Sequence, residues 1–150
     1  MDLWHSPSFA MYALFAVGLT FLLLAIDGLS GGARVATKTV LNSEDAGSVA
    51  KGAQLVESDP ERVARIMRAH RNALANIIPF LAVMFLYVAL GATPTWVLAL
   101  CGVFGAARFV HAVAYISAKQ PFRTGSFVVG QICTIIAMVQ VLRAAFPLVA

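Results

Sequence analysis

SFAMYALFAVGLTFLLLAI, Ser8 to Ile26, runs without a single charged side chain. A helix needs about 20 apolar residues to cross the hydrocarbon core of a bilayer, and this stretch is that long. Three more stretches match it. ALANIIPFLAVMFLYVAL is the apolar part of a segment reaching Leu90, a third runs from Thr95 to Ala118, and a fourth from Ser126 to Phe146. The helices that contain them are predicted at about 8–29, 60–90, 95–118 and 125–147. The expectation is an all-α fold, an integral membrane four-helix bundle, forming one domain over 1–150.

Composition points the same way. The chain is 60% hydrophobic and 12% charged, whereas a soluble domain is roughly 45–50% apolar and 25% charged. The first apolar run is not a cleaved leader by pattern. The residues ahead of it hold Asp2 and His5 but no Lys or Arg, and a signal peptide places positive charge there.

Four crossings put both ends and the Gly91–Pro94 turn on one side of the membrane. The connection from Ser30 to Pro60 and the turn at Lys119–Gly125 lie on the other. Arg34, Lys38, Lys51, Arg62, Arg65, Arg68, Arg71, Lys119 and Arg123 all fall on that second side. The positive-inside rule makes it the cytoplasmic one, with both termini outside. The pI of about 9.5 therefore reflects membrane-edge charge, and no nucleic-acid partner is expected. The residues suit a bacterial inner membrane and an endoplasmic reticulum membrane equally.

Cys101 and Cys133 lie within predicted spans, without CxxC or metal spacing, so they read as buried free thiols and no metal site is expected. The connection from Gly31 to Pro60 is polar and glycine-bearing. Asp59-Pro60-Glu61 reads as a helix start, with Asp59 as cap and Pro60 in the first position. Arg65, Arg68 and Asn72 share a face at the basic entrance of the second helix, a pattern that also suits side chains snorkelling to lipid phosphates. Asn72 and Asn76 need partners where that helix turns apolar.

The third span carries Arg108, His111 and Tyr115 at i, i+3 and i+7, one polar stripe. A charge well inside a span costs at least about 2.5–3.5 kcal/mol unless it is paired or wetted. The stripe must face other helices or a polar cavity. Lys119, Arg123 and Thr124 follow just beyond, and Gln131, Thr134 and Gln140 lie along the fourth span. Gly102 and Ala106 form a small-xxx-small pair that suits close helix packing. Together these groups outline a cationic pocket that fits an anionic, carboxylate-bearing ligand. Residue chemistry alone names no reaction.

RAHRNALANIIPF (Arg68 to Phe80), ARFVHAVAY (Ala107 to Tyr115) and PFRTGSFVVGQ (Pro121 to Gln131) resemble the membrane-associated proteins in eicosanoid and glutathione metabolism, the MAPEG superfamily. The likeness runs to its microsomal prostaglandin E synthase branch. It includes NSEDA (Asn42 to Ala46) and SDP (Ser58 to Pro60), and covers most of the chain. The resemblance implies a homotrimer that binds glutathione between protomers and admits a lipophilic substrate from the lipid membrane. It places Arg34, Arg71, Asn72, Arg108, His111, Tyr115 and Arg123 in the glutathione site. It gives Arg123, Thr124, Tyr115 and Asp45 to the chemistry, with Arg123 beside the glutathione sulfur. One position departs from the pattern. The family usually has an acid three places after the motif asparagine, and here that place is Ala75.

The expected function is a glutathione-dependent membrane enzyme. Its reaction is a transferase conjugating glutathione to lipophilic electrophiles, or reduction of lipid hydroperoxides through an arginine-stabilised thiolate. One alternative is prostaglandin-endoperoxide isomerase activity; another is a non-catalytic membrane interaction protein on the same scaffold.

Overall fold

A computed structural model describes residues 2–48 and 50–149. Its frame is four long helices: α1 (Pro7–Thr37), α3 (Glu61–Ala89), α4 (Pro94–Ile116) and α5 (Gln120–Ala145). All four are long and apolar enough to cross a membrane. A short helix, α2 (Ser43–Gly47), and two-residue strands, β1 (Thr39–Val40) and β2 (Gln54–Leu55), lie in the long connection. The all-helical expectation therefore needs one small amendment: β1 and β2 pair in parallel, Thr39 with Gln54 and Val40 with Leu55.

Local chemistry sets the helix starts. The Ser6 hydroxyl accepts from Phe9 N–H, and Pro7 occupies the first turn of α1, where a missing N–H costs nothing. Pro94 and Pro121 open α4 and α5 in the same way. The helix α3 runs through Pro79 without interruption.

The sequence ended the first helix near residue 29, yet α1 continues through Gly31 and Gly32 to Thr37. Packing explains the difference. Ser30 and Ala33 are buried there, and Ala33 joins Ile26, Val63 and Ile66 in one apolar cluster. Tertiary contact of this kind overrides the poor helix propensity of glycine. Asp59 is also not the cap of α3. Pro60 holds that position with no side-chain cap, and Glu61 begins the helix. The carboxylate of Asp59 instead receives both Arg34 Nε (3.1 Å) and Arg34 Nη2 (2.9 Å), tying the end of α1 to the start of α3.

The core follows the faces of α3 and α4. Buried residues on α3 recur every three or four positions, from Val63 through Ile66, Ala69, Ala73, Ile77 and Phe80 to Met84, the signature of one helical face. Phe80 stacks on Phe104 of α4 with ring centroids 3.6 Å apart and planes 4° apart. The buried residues of α5 are small, Gly130, Cys133 and Ala137. On α4, a Cβ at Gly102 would sit 3.8 Å from the Phe15 ring of α1. That is ordinary contact, in keeping with the close packing expected at this position. At the opposite end from the connection, Ser8 Oγ donates to Ala92 O (2.6 Å).

Candidate functional site

The buried face of α4 starts apolar, with Val97, Leu100, Cys101 and Phe104, and then continues as Arg108 and His111. The same geometry that builds the core thus carries two polar side chains into it. Arg108 is only 2% exposed. Its Nη2 donates to the carbonyl oxygens of Ser126 (3.2 Å) and Phe127 (3.3 Å) on α5. Its guanidinium carbon lies 5.5 Å from the Phe104 ring centre and 5.6 Å from that of Phe127, a range in which cation–π attraction offsets part of the burial cost.

One turn on, His111 Nδ1 lies 2.9 Å from the carbonyl oxygen of Arg123. A carbonyl only accepts, so Nδ1 carries the proton, and when the ring is neutral Nε2 is left as an acceptor. The His111 ring meets Tyr115 edge-on at 5.7 Å. The Arg123 guanidinium lies over the Tyr115 ring, 4.8 Å from its centre. Arg108, His111, Tyr115 and Arg123 therefore form one continuous run along the α4–α5 seam. Thr124 is the next residue on α5. It is exposed and accepts from Gln120 Nε2 at 3.3 Å.

The α3 contribution is anchored from across the bundle. Gln131 Nε2 on α5 donates to Asn76 Oδ1 (2.6 Å), and Asn76 Nδ2 donates to the Asn72 carbonyl (2.7 Å). Among the described residues, four buried side-chain atoms have no hydrogen-bond partner: Asn72 Oδ1, Arg108 Nε, Arg108 Nη1 and His111 Nε2. All four belong to residues singled out from the sequence. Such atoms cost about 1–3 kcal/mol each when left unpaired; three belong to α4 at the seam and the fourth, Asn72 Oδ1, to α3, and together they mark a candidate ligand site.

The other sequence candidates stand apart from this seam. Arg71 and Ala75 are exposed on α3. Arg34 is forked to Asp59. Asp45, half-buried in α2, accepts from Asn42 Nδ2 at 3.2 Å. Arg65 and Arg68 both pair with Glu61, at 3.0 and 2.8 Å, which makes them a surface ion cluster. A cavity of about 790 Å³ lies between α1 and α3, lined in part by Gly28, Gly32, Arg62 and Arg65. It includes none of the seam residues. Sequence reasoning missed Asp59 as the partner of Arg34. It also missed Gly130, whose only signal was a glycine in mid-span.

A protein-family model described as the MAPEG family matches residues 9–143. The chain belongs to the MAPEG family. Among its relatives, a prostaglandin E synthase of Rattus norvegicus is 35% identical over 141 residues, 92% of this chain and 90% of the relative. Microsomal glutathione S-transferase 1 of Homo sapiens is 34% identical over 125 residues, 81% of each chain. A prostaglandin E synthase of Bos taurus is 31% identical over 147 residues, covering 97% of this chain and 95% of the relative. With four membrane-length helices in a MAPEG chain, the molecule is an integral membrane protein.

Proposed function

We propose that this MAPEG protein is a glutathione-dependent membrane enzyme that conjugates glutathione to lipophilic electrophiles or reduces lipid hydroperoxides. The observation that carries the reading is the set of four unpaired buried polar atoms, three on α4 at the seam and one on α3. They fit a peptide with carboxylates. Arg108 Nε and Nη1 each offer a donor to a separate oxygen of an anionic peptide, Asn72 Oδ1 accepts a peptide N–H, and His111 Nε2 accepts a further proton donor. Relatives named glutathione S-transferase and prostaglandin E synthase support the ligand class.

When bound, glutathione supplies the nucleophilic sulfur. The chain's work is electrostatic. Arg123, held over Tyr115, favours the thiolate over the thiol, whose free pKa is about 8.5. Tyr115, under the Arg123 guanidinium, and Thr124, next to it in sequence, offer hydroxyl donors. Asn72, Arg108 and His111 hold the peptide so that its sulfur end meets Arg123, and the apolar bundle surface admits the second substrate from lipid.

The working form is a homotrimer, with the site between protomers. This reading gives Arg34 and Asp45 a place: they stand apart from the seam within one protomer and reach it from a neighbour. Arg71, exposed on α3, joins the glutathione site at the same boundary. The long connection faces the cytoplasm, because nine of the eleven Lys and Arg residues lie on its side.

The test is calorimetric titration of glutathione into the purified protein, wild type beside Ala75→Glu. Saturable binding by the wild type supports the reading. Binding gained only in Ala75→Glu means that the pocket takes a different thiol. No binding by either overturns glutathione dependence.

The prostaglandin E synthase relatives favour a second reaction in the same site, isomerisation of a prostaglandin endoperoxide. Measuring endoperoxide turnover beside conjugation of an aromatic electrophile separates the two. Alanine at position 75 favours a third reading, a non-catalytic membrane interaction protein. Glutathione consumption with a general electrophile excludes it.

A further inference from the structure

A glycine inside a helix weakens it relative to alanine, so Gly130 in the middle of α5 needs a reason. Its backbone supplies none, since it is not among the positive-φ residues. Space does. A Cβ at Gly130 would lie 2.6 Å from Arg108 Nη2 and 3.0 Å from both Cζ and Nε. At none of the other ten glycines would a Cβ come closer than 3.8 Å to a neighbour. The guanidinium of Arg108 lies against α5 in the volume a side chain at position 130 would fill. From there its Nη2 reaches the carbonyls of Ser126 and Phe127, and its Nε and Nη1 remain unpaired.

We propose that Gly130 is a positioning residue: the missing side chain is the seat that holds the Arg108 guanidinium against α5 and presents its two unpaired nitrogens to the anionic ligand. The functional half of this rests on the glutathione reading above; the seat itself does not. Any side chain at position 130 displaces the guanidinium. That group is the far end of a flexible chain, so Arg108 yields while the backbone of α5 stays.

The experiment is a double-mutant cycle of Gly130→Ala with Arg108→Met on the full-length protein in detergent, with two readouts. The first is thermal unfolding. Methionine vacates the seat without leaving a buried charge. Gly130→Ala should therefore lower Tm when Arg108 is present and raise it in the Arg108→Met background, where only the helix propensity gain remains. The second is glutathione affinity and turnover. Gly130→Ala should weaken binding about tenfold and raise KM with it, leaving kcat within about twofold. In the Arg108→Met background it should change affinity no further, since coupled residues are non-additive.

Additive Tm changes, or wild-type affinity in Gly130→Ala, overturn the proposal. Failure of Gly130→Ala to fold supports the seat if the double variant folds, and overturns it if the double variant fails as well. A wild type that binds no glutathione, with the Tm reversal intact, sinks the glutathione reading and leaves the seat standing.

Discussion

Arg123 is one of the two guanidinium groups on the α4–α5 seam, and it is not buried like Arg108. It sits over Tyr115, and among the described residues no carboxylate pairs with it. Replacing it with leucine should lower kcat by tenfold or more, a loss of about 1.4 kcal/mol for each factor of ten, while the glutathione Kd moves by less than about threefold. The pH–rate profile gives the direction. Without the cation the thiol pKa rises toward about 8.5, so activity lost at neutral pH returns as pH increases. An unshifted profile would remove Arg123 from the thiolate. Ala75→Glu belongs to the same scale. A carboxylate there can meet the glutathione ammonium, and tighter glutathione binding in calorimetry is the expected result.

Between α1 and α3 the two-point fork from Arg34 to Asp59 is partly buried, with side chains 32% and 15% exposed. Paired geometry makes it worth more than a typical surface ion pair, but its partial exposure limits the gain to about 1 kcal/mol. Asp59→Asn should lower Tm by roughly 2–4 °C, and in an Arg34→Gln background the same change should cost nothing further. Equal losses in both backgrounds would show that the fork contributes nothing. This element also marks where sequence stops being readable. The four apolar runs and the Arg108–His111–Tyr115 stripe are legible because helical period and hydropathy are local properties. The extension of α1 over Gly31 and Gly32 is not, because it depends on Ala33 meeting Val63 and Ile66 from a distant helix. Asp59 looked like a cap because aspartate before proline usually is one; only the approach of Arg34 assigns it otherwise. Gly130 is legible as an oddity in mid-span, but its purpose needs the position of Arg108.

Over the whole molecule, α1 stands apart from the other long helices. Only 11% of its apolar window is buried, against 50% for α4, and Leu14, Val17, Phe21 and Leu24 are each at least 65% exposed. In the trimer proposed above, this face would meet lipid or a neighbouring protomer. Light scattering in detergent should give a mass near three chains of 15.9 kDa plus bound detergent; a monomer would defeat the shared-site reading of Arg34 and Asp45. Topology has an equally direct check. The two native cysteines are buried, so a membrane-impermeant maleimide should leave the wild type unlabelled. A Ser48→Cys variant should label only from the cytoplasmic side, and labelling from the outside would invert the orientation.

Those buried cysteines have a consequence for the lifetime of the protein. Cys101 is 0% exposed and Cys133 5%, sealed from lipid as well as from water. A protein that draws soft electrophiles out of a membrane and sets a reactive sulfur beside them risks arylating itself with its own substrates. Among the described residues neither thiol is open to an electrophile, so on the glutathione reading the thiol that reacts is the one that arrives with the ligand and leaves with the product. Each turnover therefore spends a replaceable tripeptide and spares the cysteines, and after prolonged incubation with a lipophilic arylating agent peptide mapping should find Cys101 and Cys133 unmodified.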